Sequence, residues 1–71
     1  SNMTVVSLWA GSAADLWLGG VSAIWRLDTA ASRWEAQTVP AAASGPYRAF
    51  VRDGRGVLFA ASARGILRLG P

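Results

Sequence analysis

The chain has no cysteine, no histidine and no lysine. Without cysteine no disulfide can staple a small fold, and without thiol or imidazole a zinc site is not to be expected. A core of 71 residues supplies only about 3–5 kcal/mol unaided, so stability has to come from elsewhere. Charge is scarce as well: 15% of the residues are charged and four are acidic, Asp15, Asp28, Glu35 and Asp53. Catalysis needs placed acids, bases, nucleophiles or metals. Asp15 and Asp53 fall at turns, Asp28 at a strand end and Glu35 on an exposed strand face, so structural duty accounts for all four and no catalytic machinery or cofactor is expected. A phosphate-cradling loop needs a strand and a helix around it, and no segment reads as a helix. The longest uncharged stretches, Ser1–Ala14 and Ala36–Tyr47, are interrupted by polar residues or proline. Both fall short of the roughly 18 apolar residues that span a membrane. There is no secretory apolar region, so the compartment is unread. Ser1-Asn2 resembles a protease-cleavage remnant and is set aside from the fold.

What is present in excess is apolar material. Hydrophobic residues make up 52% of the chain, more than a domain with so large a surface for its volume can hide. The surplus implies a partner surface, either copies of this chain or the rest of a longer ring. All seven positive charges are arginine, as a GC-rich coding bias produces, and the net +3 is too small to argue for nucleic acid.

The chain repeats. Moved by 42 residues it lies over itself without a gap: Leu16–Gly20 falls on Leu58–Ser62, Ala23–Leu27 on Gly65–Leu69, and Val5, Leu8 and Trp9 on Tyr47, Phe50 and Val51. Identity is confined to Leu16, Ile24, Arg26 and Leu27, but apolar and turn positions agree throughout. A period in the low forties is that of four-stranded propeller blades. The first repeat predicts strands at Thr4–Ala10, Asp15–Gly19, Ala23–Asp28 and Arg33–Val39. The second predicts Tyr47–Arg52, Val57–Ala61 and Gly65–Leu69, and lacks a fourth. Gly and Asp clusters between them suit tight hairpins.

Thr4–Ala10 and Leu16–Leu18 are apolar at nearly every position, which predicts strands buried on both faces. Arg33–Thr38 alternates, with Arg33, Glu35 and Gln37 opposite Trp34, Ala36 and Thr38, which predicts an outer strand wetted on one side. The fold class is therefore all-β: two tandem propeller blades of antiparallel meander type, the second without its outer strand. They would complete a propeller by oligomerisation or as a fragment of a larger ring. The first blade covers residues 4–39, a linker 40–46 and the second blade 47–71. Ala41–Ala43 could open a helical turn, too short to matter. The rival is a small seven-stranded antiparallel barrel or sandwich.

Asp15-Leu16-Trp17-Leu18-Gly19-Gly20, then Ala23-Ile24-Trp25-Arg26-Leu27-Asp28, then Trp34, resembles the two-component regulator propeller repeat. The stretch Ala10–Trp17 is similar to other tryptophan-rich bacterial propeller repeats. The resemblance implies blades of a sensor input domain, periplasmic or extracellular, that recognises ligands such as saccharides. The second repeat departs from it, with Phe59 for Trp, Ala61 for Gly and Gly70 for Asp.

The residues expected to contact a ligand are Trp9, Arg26, Tyr47, Arg48, Arg64 and Arg68. Trp9, Trp17 and Trp25, eight residues apart, could form an aromatic platform for a sugar ring, though blade-to-blade packing explains Trp17 and Trp25 better. Arg26 and Arg68 occupy equivalent places, so a closed ring would display that guanidinium once per blade. The first blade, with Arg26 and Arg33 against Asp15, Asp28 and Glu35, is net −1. The second, with Arg48, Arg52, Arg55, Arg64 and Arg68 against Asp53, is net +4. Unlike halves favour head-to-tail contact. Two-blade subunits would close a ring of about 4–8 blades as a dimer, trimer or tetramer, and six blades is a common size. The expected function is a non-catalytic, ring-shaped ligand- or partner-binding scaffold. The alternatives are a homo-oligomeric carbohydrate-binding lectin and a purely structural blade-assembly fragment. The expected partners are further copies in a head-to-tail ring or the other blades of a parent propeller, with a saccharide as candidate ligand and neither nucleic acid nor membrane.

Overall fold

The computed structural model describes residues 4–40 and 45–70. Seven strands form: β1 (Val5–Ser12), β2 (Asp15–Gly20), β3 (Ile24–Asp28), β4 (Arg33–Ala36), β5 (Tyr47–Arg52), β6 (Leu58–Ser62) and β7 (Gly65–Gly70). They make two antiparallel sheets, β1-β2-β3-β4 and β5-β6-β7, each a meander in which chain neighbours are sheet neighbours. There is no helix among the described residues. The sheets do not join into a closed barrel. Every expected strand is there. The largest departure is β4, which stops at Ala36 rather than Val39, although Gln37 N still donates to Ile24 O at 2.8 Å. Most of the 40–46 linker, the helical turn at Ala41–Ala43, the Ser1-Asn2 remnant and Pro71 at the end of the second repeat lie outside the described residues.

The 42-residue repeat is a repeat of hydrogen-bond register. Leu8 pairs with Leu18 and Trp9 with Trp17 in the first sheet; Phe50 pairs with Ala60 and Val51 with Phe59 in the second. Trp17↔Arg26 returns as Phe59↔Arg68, and Gly19↔Ile24 as Ala61↔Ile66. The irregularity between Val5 and Ser7 recurs between Tyr47 and Ala49. Such bulges redirect a strand and are features of a fold, not defects.

The hairpins are closed by local side-chain bonds. Asp28 Oδ1 accepts from the amides of Ala30 and Ala31, and Asp53 Oδ1 from those of Arg55 and Val57 at 2.8 and 2.9 Å. Gly56 completes the second of these turns at φ 87°, a conformation that costs a side-chain-bearing residue but not glycine.

Cross-strand partners share a face and successive residues alternate. One face of the first sheet therefore carries Ser7, Trp9, Trp17, Gly19 and Ile24, the other Leu8, Leu16, Leu18, Trp25 and Leu27. The core joins the first of these faces to the opposite-numbered face of the second sheet: Trp17 and Ile24 are buried with Tyr47, Leu58 and Ala60, and Trp9, Phe50, Leu67 and Leu69 pack around them. At Gly19 the sheets approach so closely that a Cβ would lie 2.7 Å from Tyr47 O and 3.0 Å from the Phe50 ring. Sheet-on-sheet packing is therefore front to back, not front to front.

Burial corrects one expectation. β1 reads as a strand covered on both faces, yet Val5, Val6 and Leu8 are exposed, Leu8 by 62%. Phe59, at the repeat position of the buried Trp17, is only half-buried. A pair of sheets has one junction, so one face of each remains open.

Candidate functional site

Three places bring chemistry-bearing side chains together. The first is a polar seam at one end of the sheet junction, where β2 begins and β5 ends. Arg52 Nη2 donates to both carboxylate oxygens of Asp15 at 2.8 Å, and Arg52 Nη1 to Gly56 O. Trp17 Nε1 donates to Asp15 Oδ1 at 3.0 Å. Arg52 thus ties the second sheet's first turn to the start of β2. Both partners are about three-quarters covered, at 23% and 25% exposure, so this charge-assisted bond is stronger than an ordinary surface pair. Partial desolvation pushes the Asp15 carboxyl up. The Trp17 hydrogen bond and the Arg52 bond and charge outweigh it and hold the group below its ordinary 3.8. Trp9 Nε1 is buried with no hydrogen-bond partner among the described residues. It lies near this carboxylate, since a Cβ at Gly11 would touch both, but without bonding geometry it adds little.

The second place is an open polar hollow of about 210 Å³ lined by Ala14, Arg26, Leu27, Asp28, Thr29 and Glu35. Arg26 lies over the Trp17 ring, 5.4 Å from its centroid, opposite Glu35 in the strand register. Cation–π contact of this kind orients the guanidinium and leaves its edge free to bind.

The third is the pair of open sheet faces, where Leu8, Val51 and Ile66 are the most exposed large apolar side chains, at 62, 59 and 72%.

The six residues expected to contact a ligand are not gathered in one site. Trp9 is half-buried on the junction face of β1. Arg26 lines the hollow on the first sheet, and Arg68 is exposed opposite Phe59 on the second. Arg48 is exposed on β5, and Arg64 is exposed in the β6–β7 turn, where its amide bonds Ser62 Oγ. Tyr47 is fully buried in the core, with its hydroxyl unpartnered among the described residues, and desolvation raises its pKa. Its place is packing, because the sheet junction closes over it. Of the four acids assigned structural duty, Asp15 holds the seam, Asp28 and Asp53 close turns, and Glu35 lies exposed at the hollow, 4.0 Å from Arg33 Nη2.

Sequence reasoning missed the Asp15–Arg52 pair. A signal was there in the repeat: 42 residues away the two positions are Val57 and, on the other side, Ala10, so both charges vanish together. No group of three or more metal-ligating side chains occurs among the described residues, nor any helix long and apolar enough to cross a membrane. Comparison with protein-family models, curated proteins and solved structures gives no match.

Proposed function

We propose that this chain is a pair of β-propeller blades serving as a non-catalytic, ring-forming scaffold that binds a ligand or partner. The observation that carries the reading is the recurrence of one register, bulge included, at a 42-residue interval, combined with front-to-back packing of the two copies. Front-to-back stacking is the arrangement that can be continued by a fixed rotation until a ring closes. A ring of such units displays each equivalent side chain once per blade, and Arg26 with the hollow beside it is the best-formed polar recess for a small anionic or hydroxylated ligand such as a saccharide. The resemblance of the Trp17 and Ile24 strands to the two-component regulator propeller repeat points the same way, toward a sensor input module. The lectin reading shares this recess; the structural reading does without it.

Two measurements test the proposal. Nuclear Overhauser contacts between the Phe50 ring and the Gly19 α-protons are expected if the sheets stack front to back. Contacts from Phe50 to Leu18 or Trp25 instead would overturn the blade reading. Thermal-shift screening against saccharides and small anions is expected to give a stabilisation that Arg26→Ala abolishes. No shift with any of them would remove ligand binding and leave the structural scaffold.

A further inference from the structure

We infer that the two open faces are partners for each other in different copies of this chain. The face carrying Leu8, Leu18 and Trp25 seats on the face carrying Val51, Phe59 and Ile66 of a second copy, head to tail. The inference rests on the blade reading and names what completes it.

Three coordinated replacements argue for it. The open face of the first sheet occupies the repeat positions of the second sheet's buried face, and the open face of the second occupies those of the first sheet's buried face. Placing one on the other therefore rebuilds the internal junction with substituted residues, and the substitutions compensate across it. Where Phe50 lies against Gly19 inside the chain, the new contact sets Leu8 against Ala61: one side chain shortens as the other gains a methyl. Within the core cluster Trp17 gives way to Phe59 as Ala60 gives way to Leu18. Asp15 and Arg52 give way to Val57 and Ala10, so neither side of the new junction carries an orphaned member of the ion pair into an apolar contact, where a lone charge is costly. A face built for water or for an unrelated partner has no reason to keep step with a surface on the far side of the molecule. Volume-conserving exchange is what well-packed interfaces tolerate.

The exposure pattern agrees. Ile66 is 72% exposed at the repeat position where Ile24 is 0% exposed. Aliphatic side chains that bare on strand faces mark contact surfaces. Because the two patches differ, the contact is heterologous: each copy offers one donor face and one acceptor face, and growth stops only on closure.

The test mixes two blocked chains. Leu8→Asp spoils only the first face and Ile66→Lys only the second, and both sites are exposed enough for the fold to survive. Val51→Lys serves in place of Ile66→Lys if that chain loses its near-ultraviolet tryptophan dichroism. Sedimentation of the unaltered chain at tens of micromolar is expected to give one discrete species above 7.4 kDa. Each variant alone should sediment as a monomer. Their equimolar mixture should form a dimer, because the variant spoiled on one face still presents an intact other face to its complement. A monomeric unaltered chain, a variant that still assembles, or a mixture that stays monomeric overturns the inference. A monomer that keeps the Phe50–Gly19 contact overturns only the second copy as occupant; loss of that contact overturns the blade reading itself.

Discussion

The two sheets are built on one register and live in different surroundings. In the first, Trp17 and Ile24 face a neighbour and are covered; in the second, the equivalent Phe59 and Ile66 face outward and are half or largely exposed. The reverse holds on the other faces, where Phe50 is packed and Leu8 bare. Sequence similarity between repeats therefore sets backbone pairing, while burial depends on what lies opposite. An isoleucine at one repeat position is a core residue in one copy and a surface residue in the other.

That contrast makes the largest prediction the cleanest. Ile24→Ala should destabilise the chain by about 2–5 kcal/mol, the usual range for a fully buried aliphatic, which is most of what so small a core can supply. Ile66→Ala should move the stability of the monomer by no more than about 0.5 kcal/mol, as surface changes do. Chemical denaturation at low protein concentration measures both. Equal losses would show that Ile66 is covered in solution and that the two environments are the same.

Trp17 and Phe59 give a graded version of the same comparison. Trp17→Ala should cost about 3–5 kcal/mol and remove the ring beneath Arg26. Phe59→Ala, at a half-covered site, should cost about half as much, since transfer and cavity terms scale with the area and volume lost. A Phe59→Ala loss as large as that of Trp17→Ala, measured by urea midpoint, would contradict the one-junction packing.

How much of this was legible follows from the kind of information each feature needs. Strand positions, the shared period and the meander order were readable, because alternation and turn residues are local; β5 begins at Tyr47 and ends at Arg52, as expected. The end of β4 was not, since Gln37 and Thr38 continue the alternation while the ladder with β3 ends at Ala36, with the Gln37 N bond to Ile24 O as its last trace. The open face of β1 was misjudged from its unbroken apolar run. Such a run says a strand can be buried on both sides, and only the count of neighbouring sheets says whether it is. Of the residues proposed to contact a ligand, the arginines lie on exposed surface, but Tyr47, a polar-tipped aromatic at the start of a strand, was drawn into the core by the junction. The Asp15–Arg52 tie joins residues 37 apart, and its one trace in the sequence is the joint loss of both charges at the repeat positions Val57 and Ala10.

The ion pair is the next comparison in size. Arg52→Ala leaves Asp15 partly buried without its counter-charge and should cost about 1–3 kcal/mol. Adding Asp15→Val to it installs the combination that the repeat carries at Val57 and Ala10, and should recover part of that loss, because no charge is then left unpaired, although Trp17 Nε1 loses its acceptor. Double-mutant melts check this. A double variant no more stable than Arg52→Ala would show that the two junction positions are not interchangeable sets.

The smallest expected effect is the response to acid, and it separates the two sheets once more. Asp15 bridges them, whereas Asp53 closes a turn inside the second, and both carboxyls are held below their ordinary 3.8. For Asp53 the cause is chiefly the Val57 amide, opposed by slight desolvation and helped by the Arg55 amide. A carboxyl with a folded pKa below its unfolded one binds fewer protons in the native state. The stability it contributes is complete above the unfolded value and drains away as pH falls through the folded one. The unaltered chain should accordingly melt at lower temperature as pH drops from about 5 toward 2, bracketing the ordinary aspartate value. In the Asp15→Val/Arg52→Ala chain the decline should be shallower, since of the two lowered carboxyls only Asp53 remains. In an Asp53→Asn chain it should also be shallower, but with loss of cooperativity between the sheets on acidification, because the Asp15 tie still breaks. An acid decline as steep in the Asp15→Val/Arg52→Ala chain as in the parent would mean that the seam contributes nothing to holding one sheet on the other, and that the packing around Tyr47 and Ile24, with the bond from Ser7 Oγ to Tyr47 O, does so without it.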